Sequence, residues 1–298
     1  MKAQLALRMN YRLAAVRKRH YMPHGSGARA RAKFQFIEQR GGFFQNVADI
    51  SILYKIFGTR VTFCYLDEKT GCHTLNFRVY LRHMVENILY IVAAYLIGSV
   101  PFGYIAGRLN GIDLREHGSR NIGATNAVRV LGKGWGIPVF VMDFVKGFAP
   151  LLFMKYHLGG DVTAFSPEQM GWFLGMMFAL ILGHTFTCFL KFKGGKGVAT
   201  TGGCLFALSP WVGLSALLFW IGSMIVTRYV SFSSIMAGLG MILAAAIEFG
   251  LCDGDWSVAD FMVLGLLAII LILVTVKHRA NIVRILNGTE PKAFAPKN

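Results

Sequence analysis

Three polar, glycine-bearing strings break an otherwise apolar chain: HGSRNIGATNAVRVLGK at 117–133, KFKGGKGVATT at 191–201 and KHRANIVRILNGTE at 277–290. Each combines Gly for close backbone approach, Lys or Arg for charge, and Ser, Thr or Asn as neutral donors, the inventory of a phosphate binder. In the first, Gly118, Ser119, Asn121, Gly123, Thr125 and Asn126 are candidate anion-binding residues. Thr125 or Asn126 is expected to cap a short helix running to Leu131 that carries Arg129. In the second, Gly194, Gly195, Lys196 and Gly197 stand directly before a helix starting at 198, so free backbone N–H groups, the positive helix end and an ammonium meet at one spot. The string is not a nucleotide P-loop, because Gly197 follows Lys196 where Ser or Thr would be needed. Lys191 and Lys193 read as headgroup anchors, and His184 reads as well as a packed histidine as a catalytic one. In the third, His278, Asn281 and Arg284 recur at i, i+3 and i+6 and share one helical face. Ser231, Ser233 and Ser234 follow Arg228, where they serve equally as phosphate donors or as a helix cap.

The elements that must position these residues are membrane spans. Apolar residues make up 54% of the 298, and the mean hydropathy is +0.49, too high for an ordinary soluble domain. Runs long enough to cross about 30 Å of hydrocarbon occur near 86–108, 136–156, 170–190, 210–227, 232–250 and 260–276. A shorter run covers 198–208. Pro210 suits a helix start, so 198–227 divides into two spans and the total is seven. The expected fold is therefore an all-α integral membrane protein with seven transmembrane helices, short cytoplasmic helices and glycine-rich loops. Arg and Lys concentrate in 108–135, 191–197, 228–231 and 277–298, whereas 157–169, 209 and 251–259 hold none but carry Asp161, Glu168, Asp253 and Asp255. All three strings then face the cytoplasm.

The net charge of +16 does not point to nucleic acid, because residues 1–83 hold 15 Lys and Arg against 4 Asp and Glu. That basic stretch would sit on the wrong side of the first span, and it lacks the pattern of a secretory signal. Met84 opens a natural membrane-protein start, so 1–83 is expected to be a non-native or dispensable extension and 84–298 the membrane domain. Cys64, Cys72, Cys188, Cys204 and Cys252 form no CxxC pair, and neither a metal site nor a disulfide framework is expected. Asp143 and Lys146 lie inside a span at i, i+3, where charges are costly enough to need each other.

GSVPFGYIAGRLNGIDLREHGSRNIGATNAVRVLGK, DFVKG, GHTFTCFLKFKGGKGVATTGG, RYVSFSS and HRANIVRILNGTE, in that order, resemble the bacterial acyl-phosphate glycerol-3-phosphate acyltransferases over Met84 to Glu290. The resemblance implies transfer of a fatty acyl group from acyl phosphate to the 1-hydroxyl of glycerol 3-phosphate, without a cofactor, in a bacterial inner membrane. It implies essential roles at Ser119 and Arg129, roles in activity at His278 and Asn281, and a structural role at Glu290. Acyl phosphate is already activated, so orientation and oxyanion stabilisation matter more than a protein nucleophile. In keeping, HxxxxD and GxSxG patterns are missing. Direct attack is expected, with the donor phosphate held by Ser119, Asn281 and glycine amides and the acceptor by Arg129 and Lys196. The expected partners are the two substrates and the bilayer, with the protein a monomer and no nucleic acid bound. The competing class is an anion transporter, disfavoured because the polar strings lie on one side and no inverted repeat is visible.

Overall fold

The computed structural model describes residues 55–57, 60–67, 71–251 and 256–293. Cys252, Asp253, Asp255 and Lys297 lie outside the described residues. The chain divides into two compact units, Met1–Arg78 and Val79–Asn298.

In the first unit, β1 (Lys55–Phe57), β2 (Arg60–Asp67) and β3 (Gly71–Asn76) form an antiparallel meander in the order β1-β2-β3. Phe63 pairs with Leu75 and Ile56 with Val61. The β-branched and aromatic residues Val61, Thr62, Phe63 and Tyr65 favour extended backbone. The all-α expectation thus needs one correction: it holds for the membrane unit, and strands precede it.

The membrane unit contains α1 (Phe77–Ser99), α2 (Phe102–Leu109), α3 (Ala124–Leu131), α4 (Lys133–His157), α5 (Pro167–Thr185), α6 (Val198–Leu208), α7 (Pro210–Thr227), α8 (Val230–Ala245), α9 (Val258–Lys277) and α10 (Arg279–Leu286). A π-helical turn, Ala246–Leu251, extends α8. Among the described residues, six segments are long and apolar enough to cross a bilayer: Tyr80–Leu109, Lys133–His157, Pro167–Leu190, Pro210–Thr227, Val230–Gly250 and Val258–Lys277. The shorter α6 completes the expected set of seven. Helix α1 begins at Phe77, upstream of Met84, and runs through it without a break.

At about 1.5 Å per residue α6 is only half a membrane thick, yet it is among the most buried elements, with Thr200, Gly203, Cys204, Ala207 and Leu208 buried. Ser209 divides it from α7 by accepting hydrogen bonds from the Trp211 and Val212 amides at 3.1 and 3.5 Å. Glycines let α4 and α6 touch backbone to backbone. A Cβ on Gly147 would sit 2.2 Å from the Thr200 carbonyl oxygen, and one on Gly203 2.1 Å from that of Phe144. Close approach by small residues is how helices gain packing in lipid, where no hydrophobic force holds them together. Around the core formed by Phe173, Met177, Leu180, Ile181 and Leu267, the outer faces present Leu89, Ile225 and Val226.

Candidate active site

The first string folds around Asn126. Its Oδ1 accepts from the Ser119 amide at 2.8 Å, and its Nδ2 points at the carbonyls of Leu114, His117 and Asn121 at 3.2, 3.0 and 2.8 Å. Gly118 has φ +59°, and a Cβ there would lie 2.4 Å from Asn126 Oδ1. Both facts require glycine. Two expectations are corrected here. Asn126 is not a substrate donor, because its amide is engaged by the loop's own backbone. The cap of α3 is neither Thr125 nor Asn126 but Gly123, whose amide donates to Asn121 Oδ1 at 2.7 Å. That bond also turns the Asn121 carbonyl inward, while Ser119, Thr125 and Arg129 remain exposed.

Buried Asp113 anchors the approach to this loop. Its carboxylate accepts from Arg115 Nη2 at 2.6 Å and Arg108 Nη2 at 3.1 Å, and both guanidinium groups lie over the Tyr104 ring. The hydrogen bonds from Arg115 hold the Asp113 carboxyl down at about 2.

The second string folds back on the end of α5. The Gly194 amide donates to the Thr185 carbonyl at 3.3 Å and the Gly195 amide to that of His184 at 3.0 Å. Those two N–H groups are therefore engaged, which corrects the expected glycine-amide cradle at Gly194 and Gly195. The donors that remain belong to Lys196, to Gly197 and to Val198, Ala199 and Thr200 in the first turn of α6, whose helix geometry gives the last three no internal acceptor. Gly197, at φ +80°, supplies the left-handed turn into that helix.

Lys196 reaches the third string. Its Nζ donates to Asn281 Oδ1 at 2.5 Å, and Asn281 Nδ2 donates to Glu290 Oε1 at 2.6 Å. The Glu290 carboxylate also accepts from Arg284 Nε at 2.7 Å and Ser231 Oγ at 3.1 Å. Burial would raise the Glu290 carboxyl, but the bonds from Asn281 and Arg284 outweigh it and hold it below the usual range. Ser231 gives its only proton to Glu290, which fills neither of the two roles open to it in the sequence, phosphate donor or helix cap. Burial, reinforced by the charges of Arg284 and Arg129, lowers Lys196 to about 8 against the pull of Glu290. Asn281 uses one amide proton and Lys196 one of three, so three donors stay open at this junction.

His278 closes α9 and opens α10, buried beside that junction. Its Nδ1 lies 2.8 Å from the Val274 carbonyl oxygen. A carbonyl only accepts, so Nδ1 carries the proton and Nε2 presents a lone pair. Burial and then the charge of Lys196 push the imidazole down to about 4. The expected face of His278, Asn281 and Arg284 is thus formed, directed at Lys196 and Glu290.

Next to these residues lies an apolar cavity of about 190 Å³. Val198 and Ala199, which follow the glycine-rich loop, line one part of it, and Val274, which holds the His278 ring, lines another. Between them its walls are Phe144, Phe206, Trp220 and Leu271. The buried hydroxyls of Thr185, Thr200 and Thr201, all without a hydrogen-bond partner, surround the start of α6. They were passed over in the sequence although GHT and VATT flank the glycines directly. From the first string, Arg129 acts on this locus through its charge, which bears on Lys196.

This chain is similar to proteins of known activity. A family model described as glycerol-3-phosphate acyltransferase matches residues 88–288. The glycerol-3-phosphate acyltransferase of Aquifex aeolicus (strain VF5) is 41% identical over 208 residues, covering 69% of this chain and 98% of the relative. That of Acholeplasma laidlawii is 37% identical over 215 residues, covering 69% and 92%. The crystal structure of PlsY (YgiH), an integral membrane glycerol 3-phosphate acyltransferase, in its glycerol 3-phosphate form is 39% identical, covers 70% of this chain and 96% of that one, and has a TM-score of 0.61. Its lysophosphatidic acid form gives 38% identity and a TM-score of 0.59.

Proposed function

Because this chain belongs to the glycerol-3-phosphate acyltransferase family, we propose that it moves a fatty acyl group from acyl phosphate to the 1-hydroxyl of glycerol 3-phosphate on the cytoplasmic side of a bacterial inner membrane, as a monomer. The observation that carries this reading is the Lys196–Asn281–Glu290 chain set beside an apolar cavity. Phosphate recognition and room for an alkyl chain meet at one place.

Lys196, Asn281 and the first-turn amides of α6 bind phosphate oxygens, with Arg129 adding charge from the first string. The acyl chain lies in the cavity, which sets its carbonyl carbon near His278. Ser119, exposed on the first loop, supplies a hydroxyl from the opposite side. The 1-hydroxyl oxygen attacks the acyl carbon, the bond from that carbon to the phosphate oxygen breaks, and 1-acylglycerol 3-phosphate and inorganic phosphate leave. The proton passes to the departing phosphate. The oxygen released when that bond breaks is a better acceptor than His278, whose imidazole burial and the charge of Lys196 hold down to about 4. His278 Nε2 orients the hydroxyl by accepting its hydrogen bond. The strict separation expected, donor on the first and third strings and acceptor on the second, gives way here to adjoining sites, because Lys196 and Asn281 bond to each other.

The reading is tested by rapid quenching with labelled acyl phosphate. Label should pass to lysolipid only when glycerol 3-phosphate is present, with none on the protein. A stable acyl-enzyme at Ser119, or turnover with acyl thioester but not acyl phosphate, contradicts it.

A further inference from the structure

Beneath the glycine-rich loop lies a second polar cluster that takes no part in the chemistry above. Asp143 and Lys146, one turn apart on α4, pair at 2.7 Å with both side chains almost wholly buried. Lys146 Nζ also donates to the Val100 carbonyl at 2.8 Å, at the break between α1 and α2. His184 on α5 brings its Nδ1 to 3.5 Å from Asp143 Oδ1, and its ring is 6% exposed. The other edge of that ring carries the loop. A Cβ on Gly195 would stand 2.2 Å from His184 Nε2, so only a glycine backbone can lie there.

A mutual ion pair explains Asp143 and Lys146 but not the histidine, whose protein partner on one edge is a carboxylate and on the other a backbone it must not displace. Charged groups this deep in a span are costly, and apolar residues of the same shape would pack without that penalty. Their arrangement gives a reason for keeping them. Lys146 ties α4 to the break between α1 and α2, Asp143 Oδ1 faces the imidazole on α5 at 3.5 Å, and Gly194 and Gly195 are laid over that ring by their amide bonds to the Thr185 and His184 carbonyls. Lys196 is the next residue.

We propose that Asp143, Lys146 and His184 are positioning residues: they fix the imidazole as the floor of the glycine-rich loop and so set where Lys196 stands to receive the phosphate of glycerol 3-phosphate. This rests on the reading of Lys196 given above. The network touches no substrate, so its loss misplaces a binding group and leaves the reacting atoms alone.

The test uses the full chain in detergent, measuring glycerol 3-phosphate affinity by calorimetry alongside KM and kcat. His184→Phe keeps ring bulk but loses Nδ1, and should raise both Kd and KM for glycerol 3-phosphate by about tenfold or more, since small misplacements of a binding group are expensive. Its kcat at saturation should stay within about threefold of wild type. His184→Asn, which restores a donor near the Nδ1 position, should recover most of the lost affinity. Asp143→Asn/Lys146→Met removes both charges together and retains the histidine; it should reproduce His184→Phe, and it decides the matter if the latter fails to fold. Wild-type KM in these variants overturns the proposal, as does a fall in kcat at unchanged KM, which would place His184 in the chemistry. If the wild type binds glycerol 3-phosphate but makes no lysolipid, the proposed function falls instead, and the calorimetric values alone decide the network.

Discussion

At the scale of single residues, the proposed chemistry centres on Lys196. Its ammonium, lowered to about 8 mainly by burial, is the form that the proposal assigns to a phosphate dianion. The sign follows: the charged form predominates at pH 7 and is lost as pH rises through about 8, so the KM for glycerol 3-phosphate should climb above that pH. Lys196→Arg, which does not titrate in this range, should flatten the climb, as initial rates measured across pH would reveal. Lys196→Ala should raise KM by about 10- to 100-fold, the worth of one charged hydrogen bond in a partly buried site. The residue types at this site were legible in the sequence, because Gly, Lys and Asn at a helix start have few other uses. What each amide does was not. Asn126 and Asn281 look alike in the sequence, yet one is consumed by its own loop and the other joins two strings, since only the fold decides which carbonyls lie within reach. The partner of Ser231 was hidden for the same reason: its acceptor, Glu290, is remote in the chain. Asn126→Ala should lower the thermal stability by about 1–3 kcal/mol and disorder the Ser119 turn, a loss that a thermal melt in detergent checks directly.

At the scale of elements, the helices were readable from hydropathy and punctuation. The division at Ser209-Pro210 followed from proline's preference for a first helical turn. The depth of α6 was not readable, because a run of 11 residues carries no mark saying whether it crosses lipid or sinks into protein. Its glycines carried that information. Gly203→Leu should abolish folded protein, since even a Cβ meets the Phe144 carbonyl at 2.1 Å. Gly222→Ala on α7, where a Cβ meets nothing within 4 Å, should be neutral or stabilise by up to about 1 kcal/mol. Comparing the melting temperatures and yields of the two separates close packing from simple helix propensity. The meander at 55–76 escaped the sequence reading although Val61, Thr62, Phe63 and Tyr65 announced it.

At the scale of the whole molecule, the acyltransferase family match begins at residue 88, within a membrane unit that starts at Val79. We propose that this unit is sufficient for transfer and that residues 1–83 are dispensable to it. A chain beginning at Met84 shortens α1 by its first seven residues and should retain transfer activity, whereas dependence on the upstream segment would assign that segment a role in catalysis or insertion. The proposed transfer brings two phosphorylated substrates and a lipid chain to one membrane face, which no single string explains. The most direct measurement is product stoichiometry with purified full-length protein, synthetic acyl phosphate and glycerol 3-phosphate. One lysophosphatidic acid should appear per inorganic phosphate released, with no release when glycerol 3-phosphate is omitted. Phosphate release without lysolipid, or phosphate movement across vesicles in its place, would contradict the account.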